Sequence, residues 1–238
     1  MRDAELDPRL LSAASFVRQG ASVADIGTDH AHLPIFLLKE GRARFAHLAD
    51  VNRGPLDSAE CNVRAAGLLH QVSFTLTDGA AALYASDATD YFICGMGGEL
   101  IARIVADAPH LKNKDIHLIL QPMSRQAHLR RSLFAMGFSE IGARYSLDHG
   151  RYYMTMLWEY TGTEVELDPT DAELGAIPTD IGDLPYAIGF LEGKLKSAER
   201  TLEGRRIAGG DVAEEERLVL ALRARTAELK KFQKQEEL

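Results

Sequence analysis

Five short β-rich runs separated by helix-like segments fill most of the first 136 residues, and that alternation constrains the fold more than any other feature. The runs are Ser22–Ile26, Phe45–Ala49, Val72–Leu76, Tyr91–Cys94 and Ile116–Leu120. A helix between consecutive strands carries the chain back to where the next begins, so such strands pair in parallel. The helical segments have readable ends. Leu10, Ala14 and Val17 share one helical face, with Asp7 placed to cap and Pro8 at the first helical position. Pro34 is placed to open a second helix, and Arg53–Ala66 stops at Gly67. Gly97–Ala106 and Ser124–Met136 complete the set, the latter stopped by Gly137. Two further runs, Ser139–Leu147 and Arg151–Glu159, flank only Asp148-His149-Gly150. Three residues suffice for a hairpin but not a crossover, so this last pair is antiparallel.

An α/β chain with seven strands in a mostly parallel sheet, closed by such a hairpin, fits a Rossmann-like class I methyltransferase fold better than a dehydrogenase. Residues 1–160 are therefore expected to form a cofactor-binding catalytic domain. Residues 161–184 hold Pro169 and Pro178 and read as an acidic connector. From 185 onward Ile188, Leu191, Leu195, Ala198 and Leu202 recur at spacings of three and four, a heptad seam. Gly209-Gly210 breaks it. Asp211 with Glu214 looks like a capping box for a second helix, along which Leu218, Leu222, Leu229 and Phe232 continue a seam. Residues 185–238 are thus expected to form a separable coiled-coil hairpin, buried against itself rather than the sheet, with Arg225 weakening its middle.

Charge follows this division. The net charge is −8, but residues 152–184 contain eight acids and no Lys or Arg, so the deficit sits there. The hairpin carries 11 of the 27 Lys and Arg residues, so a polyanionic partner is not excluded. No run approaches the roughly 18 apolar residues that a membrane span needs. The start, Met1-Arg2-Asp3-Ala4-Glu5, lacks the apolar core of a signal peptide. Two cysteines, Cys61 and Cys94, are too few for a disulfide framework or a cysteine-rich zinc site. A soluble cytoplasmic protein is the expectation, with no membrane or metal partner and a monomer favoured.

In open parallel sheets, ligands bind beyond the carboxyl ends of the strands. Here the first strand gives Ala24-Asp25-Ile26-Gly27-Thr28-Asp29-His30, the second ends in Asp50, the third reaches Asp78-Gly79, and the fourth ends in Gly95-Met96-Gly97-Gly98. A dinucleotide would set its pyrophosphate against a Gly-x-Gly-x-x-Gly turn, but this first turn has one glycine among carboxylates that repel phosphate. S-adenosylmethionine instead presents an ammonium, a sulfonium, a ribose diol and an adenine amine. Asp25 and Asp29 suit its cationic end, Asp50 the ribose, and Asp78 the amine. Gly27, Gly79 and Gly95 let backbone approach closely. Each acid alone could equally be a cap or turn former. His30 and His32, two residues apart with no thiolate, make a poor metal pair. Cys94 reads as a small core residue and Gln121-Pro122 as a turn after the fifth strand.

At these residues the chain resembles the bacterial TrmK family, S-adenosylmethionine-dependent enzymes that methylate ring nitrogen 1 of adenine 22 in tRNA. The resemblance rests on Arg9-Leu10, on Asp25-Ile26-Gly27-Thr28-Asp29-His30-Ala31 with Leu33-Pro34, on Asp78-Gly79, and on Gly95-Met96-Gly97-Gly98 with Leu100-Ile101. Leu118-Ile119-Leu120-Gln121-Pro122, His128, Arg130 and Leu133 add to it. It spans about residues 6–160. Asp50 stands where some relatives carry Glu. The resemblance implies a cofactor site of Asp25, Gly27, Thr28, His30, Asp50, Val51, Asp78, Gly79, Gly95, Met96 and Gly97. It further implies tRNA as the partner, with Gln121 and Pro122 on the substrate side; Asp29, past the turn on the methyl side of the cofactor, is the candidate catalytic carboxylate, and Arg9 is either a substrate-side group or a surface salt bridge. Methylation of an exocyclic adenine amine goes with an Asn/Asp-Pro-Pro-aromatic turn, and Gly95–Gly98 has no side-chain acceptor of that kind. Action on another RNA or a protein, and a non-catalytic cofactor-binding module, are the competing readings. The basic runs Lys194, Lys196, Arg200, Arg205, Arg206 and Arg223, Arg225, Lys230, Lys231, Lys234 are candidate phosphate contacts, or else solvated coiled-coil faces.

Overall fold

A computed structural model describes residues 6–236; residues 1–5, read above for targeting signals, lie outside it. Seven strands form one sheet: β1 (Ala21–Ile26), β2 (Ala43–Asp50), β3 (Val72–Leu76), β4 (Asp90–Gly97), β5 (His117–Ser124), β6 (Phe138–Asp148) and β7 (Arg151–Tyr160). Their order is β3-β2-β1-β4-β5-β7-β6. The first five are parallel, while β7 runs antiparallel to both β5 and β6. The order reverses between β1 and β4, so the crevice beyond their carboxyl ends is where a ligand is expected.

Eight helices accompany the sheet: α1 (Pro8–Ala14), α2 (His32–Lys39), α3 (Arg53–Ala65), α4 (Gly98–Ala106), α5 (Gln126–Ala135), α6 (Pro169–Leu174), α7 (Leu184–Ile207) and α8 (Ala213–Glu236). Asp7 caps α1 as its sequence predicts: its carboxylate accepts the Leu10 N–H at 2.7 Å and Pro8 takes the first turn. Strand alternation then divides the interior into two layers. On one face Ala24, Ile26, Tyr91, Ile93, Leu118 and Leu120 bury under α4 and α5. On the other, Val23, Phe92 and Ile119 bury under α1 and α2.

Two strands run further than sequence indicates. β4 continues through Gly95-Met96-Gly97 and β5 through Gln121-Pro122, paired across register shifts on either side of Met96. What read as turns are bulged strand ends. A bulge lets a strand lose regular pairing yet keep direction, which suits Pro122, a residue with no N–H to donate.

The hairpin departs most from expectation. Its seam does not bury against itself alone. Leu184, Ala187, Ile188 and Leu191 of α7 and Met154, Met156 and Trp158 of β7 belong to the same apolar core as Ala198, Leu202, Val219, Leu222 and Leu229 of the hairpin, and α7 packs on β6 and β7 as well as on α8. The Tyr152 ring lies where a Cβ on Gly189 would stand, and the Phe190 ring meets Tyr145 edge-on at 5.6 Å between centroids. A chain ending near Thr161 would therefore uncover the outer half of the sheet. Nor is the stretch 161–184 bare. It carries α6, capped by Asp168 through the Thr170 N–H at 2.8 Å, and Asp183, buried against Arg144 at 2.6 Å. Arg225 does not weaken the seam: its guanidinium reaches out to the Gly175 carbonyl at 3.1 Å and to Glu228 at 3.3 Å. Phe232 is 46 % exposed and seals nothing.

Candidate active site

The carboxyl ends of β1, β2 and β4 build the centre of the site. After Ile26 the chain turns at Gly27, whose φ of 79° is open to glycine and strained for other residues. The N–H groups of Gly27 and Thr28 both donate to the Ala49 carbonyl, at 2.8 and 3.2 Å, tying this turn to β2. The tip of Met96 fills the position that a Cβ on Gly27 would need, which brings the β4 end against the first turn. Gly95 is left-handed as well, and no atom lies within 4 Å of where its Cβ would be. The backbone here fronts open space.

Asp25 lies in the wall of this space. Burial pushes its carboxyl up to about 6, the nearby Asp50 carboxylate pushes the same way, and the adjoining Thr28 hydroxyl pulls back without completing a hydrogen bond of ordinary geometry. The Thr28 Oγ1 is buried with no partner. Asp50 holds the Asn52 N–H at 2.7 Å with one oxygen. Two mutually repelling carboxylates and an unpartnered hydroxyl beside open glycine backbone fit a ligand bearing a cation and hydroxyl groups. They do not fit a pyrophosphate.

The remaining predicted residues sit around this centre. Val51 is 59 % exposed just past Asp50, and Gly97 forms the N-cap of α4. Gly79 is left-handed and abuts Ile104 of α4. Asp78 is not free: Arg103 of α4 grips both its oxygens at 3.2 and 3.3 Å. That partner, 25 residues on, left no signal in the sequence. Asp29 and His30 stand at the mouth, exposed, with His30 Nε2 at 3.4 Å from the Asp29 carboxylate. His30 and His32 rings lie 5.4 Å apart, and no cluster of three or more metal-capable side chains occurs among the described residues.

Gln121 and Pro122 are buried rather than presented to a substrate. The Gln121 side chain accepts from Arg9 Nη1 at 3.0 Å and donates to the Arg9 carbonyl and to Thr155 Oγ1, both at 2.9 Å. With these contacts filled, Gln121 fastens α1 across β5 and β7, and so aims Arg9 at the rim. Arg9 also pairs with Asp7 at 3.3 Å. Cys94 packs against the core, and burial pushes its thiol well up, with the Asp25 carboxylate pushing the same way, so it is a core neighbour of the site and not a nucleophile.

Comparison with known proteins agrees with this geometry. A methyltransferase-domain family profile matches residues 6–156. The Bacillus subtilis tRNA (adenine(22)-N(1))-methyltransferase is 33 % identical over 160 residues, covering 67 % of each chain. The solved structure of the B. subtilis M1A22 tRNA methyltransferase TrmK superposes with a TM-score of 0.71 at 27 % identity, over 96 % of this chain and 99 % of that one. The Streptococcus pneumoniae protein Sp1610, crystallised with S-adenosyl-L-methionine, superposes with a TM-score of 0.77 at 32 % identity, over 92 % of this chain and 98 % of that one.

Proposed function

The chain belongs to the tRNA (adenine(22)-N(1))-methyltransferase family, and from that premise we propose that it transfers the methyl group of S-adenosylmethionine to ring nitrogen 1 of adenine 22 in tRNA. The observation that carries the reading is the Asp25–Asp50 pair beside the open Gly95 backbone at the switch point of the sheet. When bound, S-adenosylmethionine supplies an electrophilic methyl group on a sulfonium. Asp25 and Asp50 are the carboxylates to hold its charged and hydroxyl-bearing parts, and Thr28 Oγ1 is the donor still lacking an acceptor. Asp78 is the acid for an adenine amine once Arg103 yields it.

A ring nitrogen carries an in-plane lone pair and needs no deprotonation before attack. The bulged Gly95–Gly98 segment accordingly offers no side-chain acceptor. What needs help is the positive charge that grows on the base as the new bond forms. Asp29, at the mouth, is the carboxylate proposed to meet it. Ring nitrogen 1 lies on the pairing edge, so the base must leave its stack to reach the site. The reading places the protein with tRNA in the cytoplasm; no helix among the described residues is long and apolar enough to cross a membrane.

The decisive experiment is mass analysis of tRNA nucleosides after incubation with methyl-labelled S-adenosylmethionine. One N1-methyladenosine per tRNA is expected, absent from a transcript carrying guanine at position 22. Label in the guanine transcript, or none in either, would overturn the assignment.

Cofactor affinity should also depend on pH. A cationic ligand needs Asp25 ionised. At about pH 5, one unit below its value in the free protein, about nine-tenths of it is protonated, so affinity should be about tenfold weaker than at pH 7.5. The sign for stability is opposite. Because the folded value lies above the unfolded one, protonated Asp25 favours the fold below about pH 4, and that contribution is lost as pH rises through about 6. Ligand-free Asp25→Asn should therefore melt higher than the parent at pH 8, while its weakened cofactor binding stays flat with pH. Calorimetric titration at several pH values checks the binding and thermal melting at pH 8 the stability; a flat parent binding profile refutes the role given to Asp25.

A further inference from the structure

The sheet's carboxyl edge carries a second feature, on the β7 side of the crevice. β7 begins there, because its register with β5 sets Met156 opposite Leu120, and the strand runs away from that edge. Its first residues, Arg151 and Tyr153, point to the same face as Thr155, the face on which Gln121 and Arg9 lie. Tyr153 is half-buried, belongs to neither core layer, and its hydroxyl makes no hydrogen bond among the described residues. The Arg151 guanidinium lies over its ring, 5.5 Å from the centroid. Arg151 is exposed, donates to the Met123 carbonyl at 3.1 Å, and has no carboxylate partner among the described residues. His149, 93 % exposed, and Arg125, 72 % exposed, stand on the same rim, each beside a carboxylate: Asp148 at 2.9 Å and Glu99 at 3.5 Å.

The helical hairpin contrasts with this. Four of the ten cations in its basic runs are held in ion pairs between the two helices: Arg205 with Glu215 at 2.8 Å, Arg206 with Glu216 at 2.6 Å, Arg223 with Glu199 at 2.6 Å, and Lys230 with Glu192 at 2.7 Å. A paired guanidinium must give up its carboxylate before it takes a phosphate. An unpaired one does not.

We propose that Tyr153 and Arg151 form a nucleotide subsite in which the tyrosine ring stacks on a base of the bound RNA and the guanidinium, moved off that ring, pairs with a phosphate. An aromatic face topped by an exposed guanidinium with no carboxylate partner among the described residues is suited to this exchange, since Arg and a nucleobase are both flat groups that stack on tyrosine. The subsite deepens the functional reading above and rests on it. It also shifts phosphate recognition from the hairpin to the rim beside the site of transfer.

The test compares tRNA affinity, KM for tRNA and S-adenosylmethionine affinity in the full-length parent, Tyr153→Leu, Tyr153→Phe, Arg151→Gln and Arg206→Gln. Tyr153→Leu should weaken tRNA binding by about 10–100-fold, the range seen for loss of one stacked base. Tyr153→Phe, which keeps the ring, should stay within about threefold, and Arg151→Gln should lose about 5–10-fold and lower the salt slope by about one. Arg206→Gln should change tRNA affinity little, and cofactor affinity should hold in all four. Undiminished tRNA affinity in Tyr153→Leu overturns the subsite, as does a matching loss of cofactor affinity, which would mark a structural tyrosine. A parent protein that leaves adenine 22 unmethylated overturns the functional reading whatever the variants do. Methylation by the parent with tRNA affinity intact in Tyr153→Leu overturns the subsite alone.

Discussion

Asp29→Ala is expected to lower kcat for tRNA methylation by about 10²–10⁴-fold while leaving S-adenosylmethionine affinity within about threefold of the parent. The argument starts from position. Asp29 follows the Gly27-Thr28 turn, outside the Asp25–Asp50 wall, and its side chain is 73 % exposed. A carboxylate in open water does little for a neighbouring cation, because the solvent dielectric scales the attraction down. It gains strength once an RNA base covers the mouth and displaces that water. The large effect therefore appears in the ternary complex, in kcat, and not in binding of the cofactor alone. Asp50→Ala should show the converse, a raised KM for the cofactor with a smaller change in kcat. Asp29→Asn separates the charge of the side chain from its shape. It keeps shape and hydrogen bonding but removes the charge, so a loss as deep as that of alanine identifies the charge as the contribution. Single-turnover kinetics with saturating cofactor makes the measurement. An Asp29→Ala protein with full kcat would show that the charge on the base is met elsewhere.

The parts of this molecule that were legible in its sequence are those written in local pattern. The five parallel strands, the closing hairpin at Asp148-His149-Gly150 and the Asp7-Pro8 helix start each rest on neighbours a few residues apart, and each is found. The acids at the first turn could be placed on one edge because parallel strands put all their carboxyl ends there. Contacts across the fold had no such imprint. Arg9 meets Gln121 across 112 positions, and Gln121-Pro122 therefore read as an open turn when it is a buried clamp. Arg103 could not be matched to Asp78, nor Gly189 to the ring of Tyr152. The heptad spacing of α7 was read correctly as an apolar stripe, but periodicity reports only that a face is buried. It does not name what buries it, and here α7 packs on β6 and β7 as well as on α8. Likewise the basic runs gave charge without its neutralisation. Glu192, spaced to pair with Lys196 on its own helix, pairs with Lys230 on the other.

Arg130→Ala is expected to destabilise the protein by about 3–5 kcal/mol, the usual consequence of leaving one member of a buried ion pair without its partner. Arg130 of α5 is 2 % exposed and Glu140 of β6 is 6 % exposed, with contacts of 2.8 and 3.2 Å between them. The same guanidinium donates to the Ala172 carbonyl in α6 at 3.2 Å, and it occupies the space that a Cβ on Gly175 would need. Gly175 in turn gives its carbonyl to Arg225 of α8, and Lys194 of α7 is anchored on Glu173. Arg130 thus ties the sheet to α6, whose Glu173 and the following Gly175 hold the two long helices. Its loss should loosen the junction as a whole. Urea unfolding of Arg130→Ala should show a lower midpoint, and limited proteolysis should cut first within residues 161–184. Replacing the pair together, Arg130→Met with Glu140→Leu, removes both desolvated charges and should recover much of the loss, since the penalty lies in the orphaned partner more than in the missing attraction. If the double variant is as unstable as Arg130→Ala, the contacts to α6 outweigh the pairing with Glu140. A single variant within about 1 kcal/mol of the parent would mean that the sheet and the hairpin hold together without this cation, through the apolar contact of α7 on β6 and β7 alone.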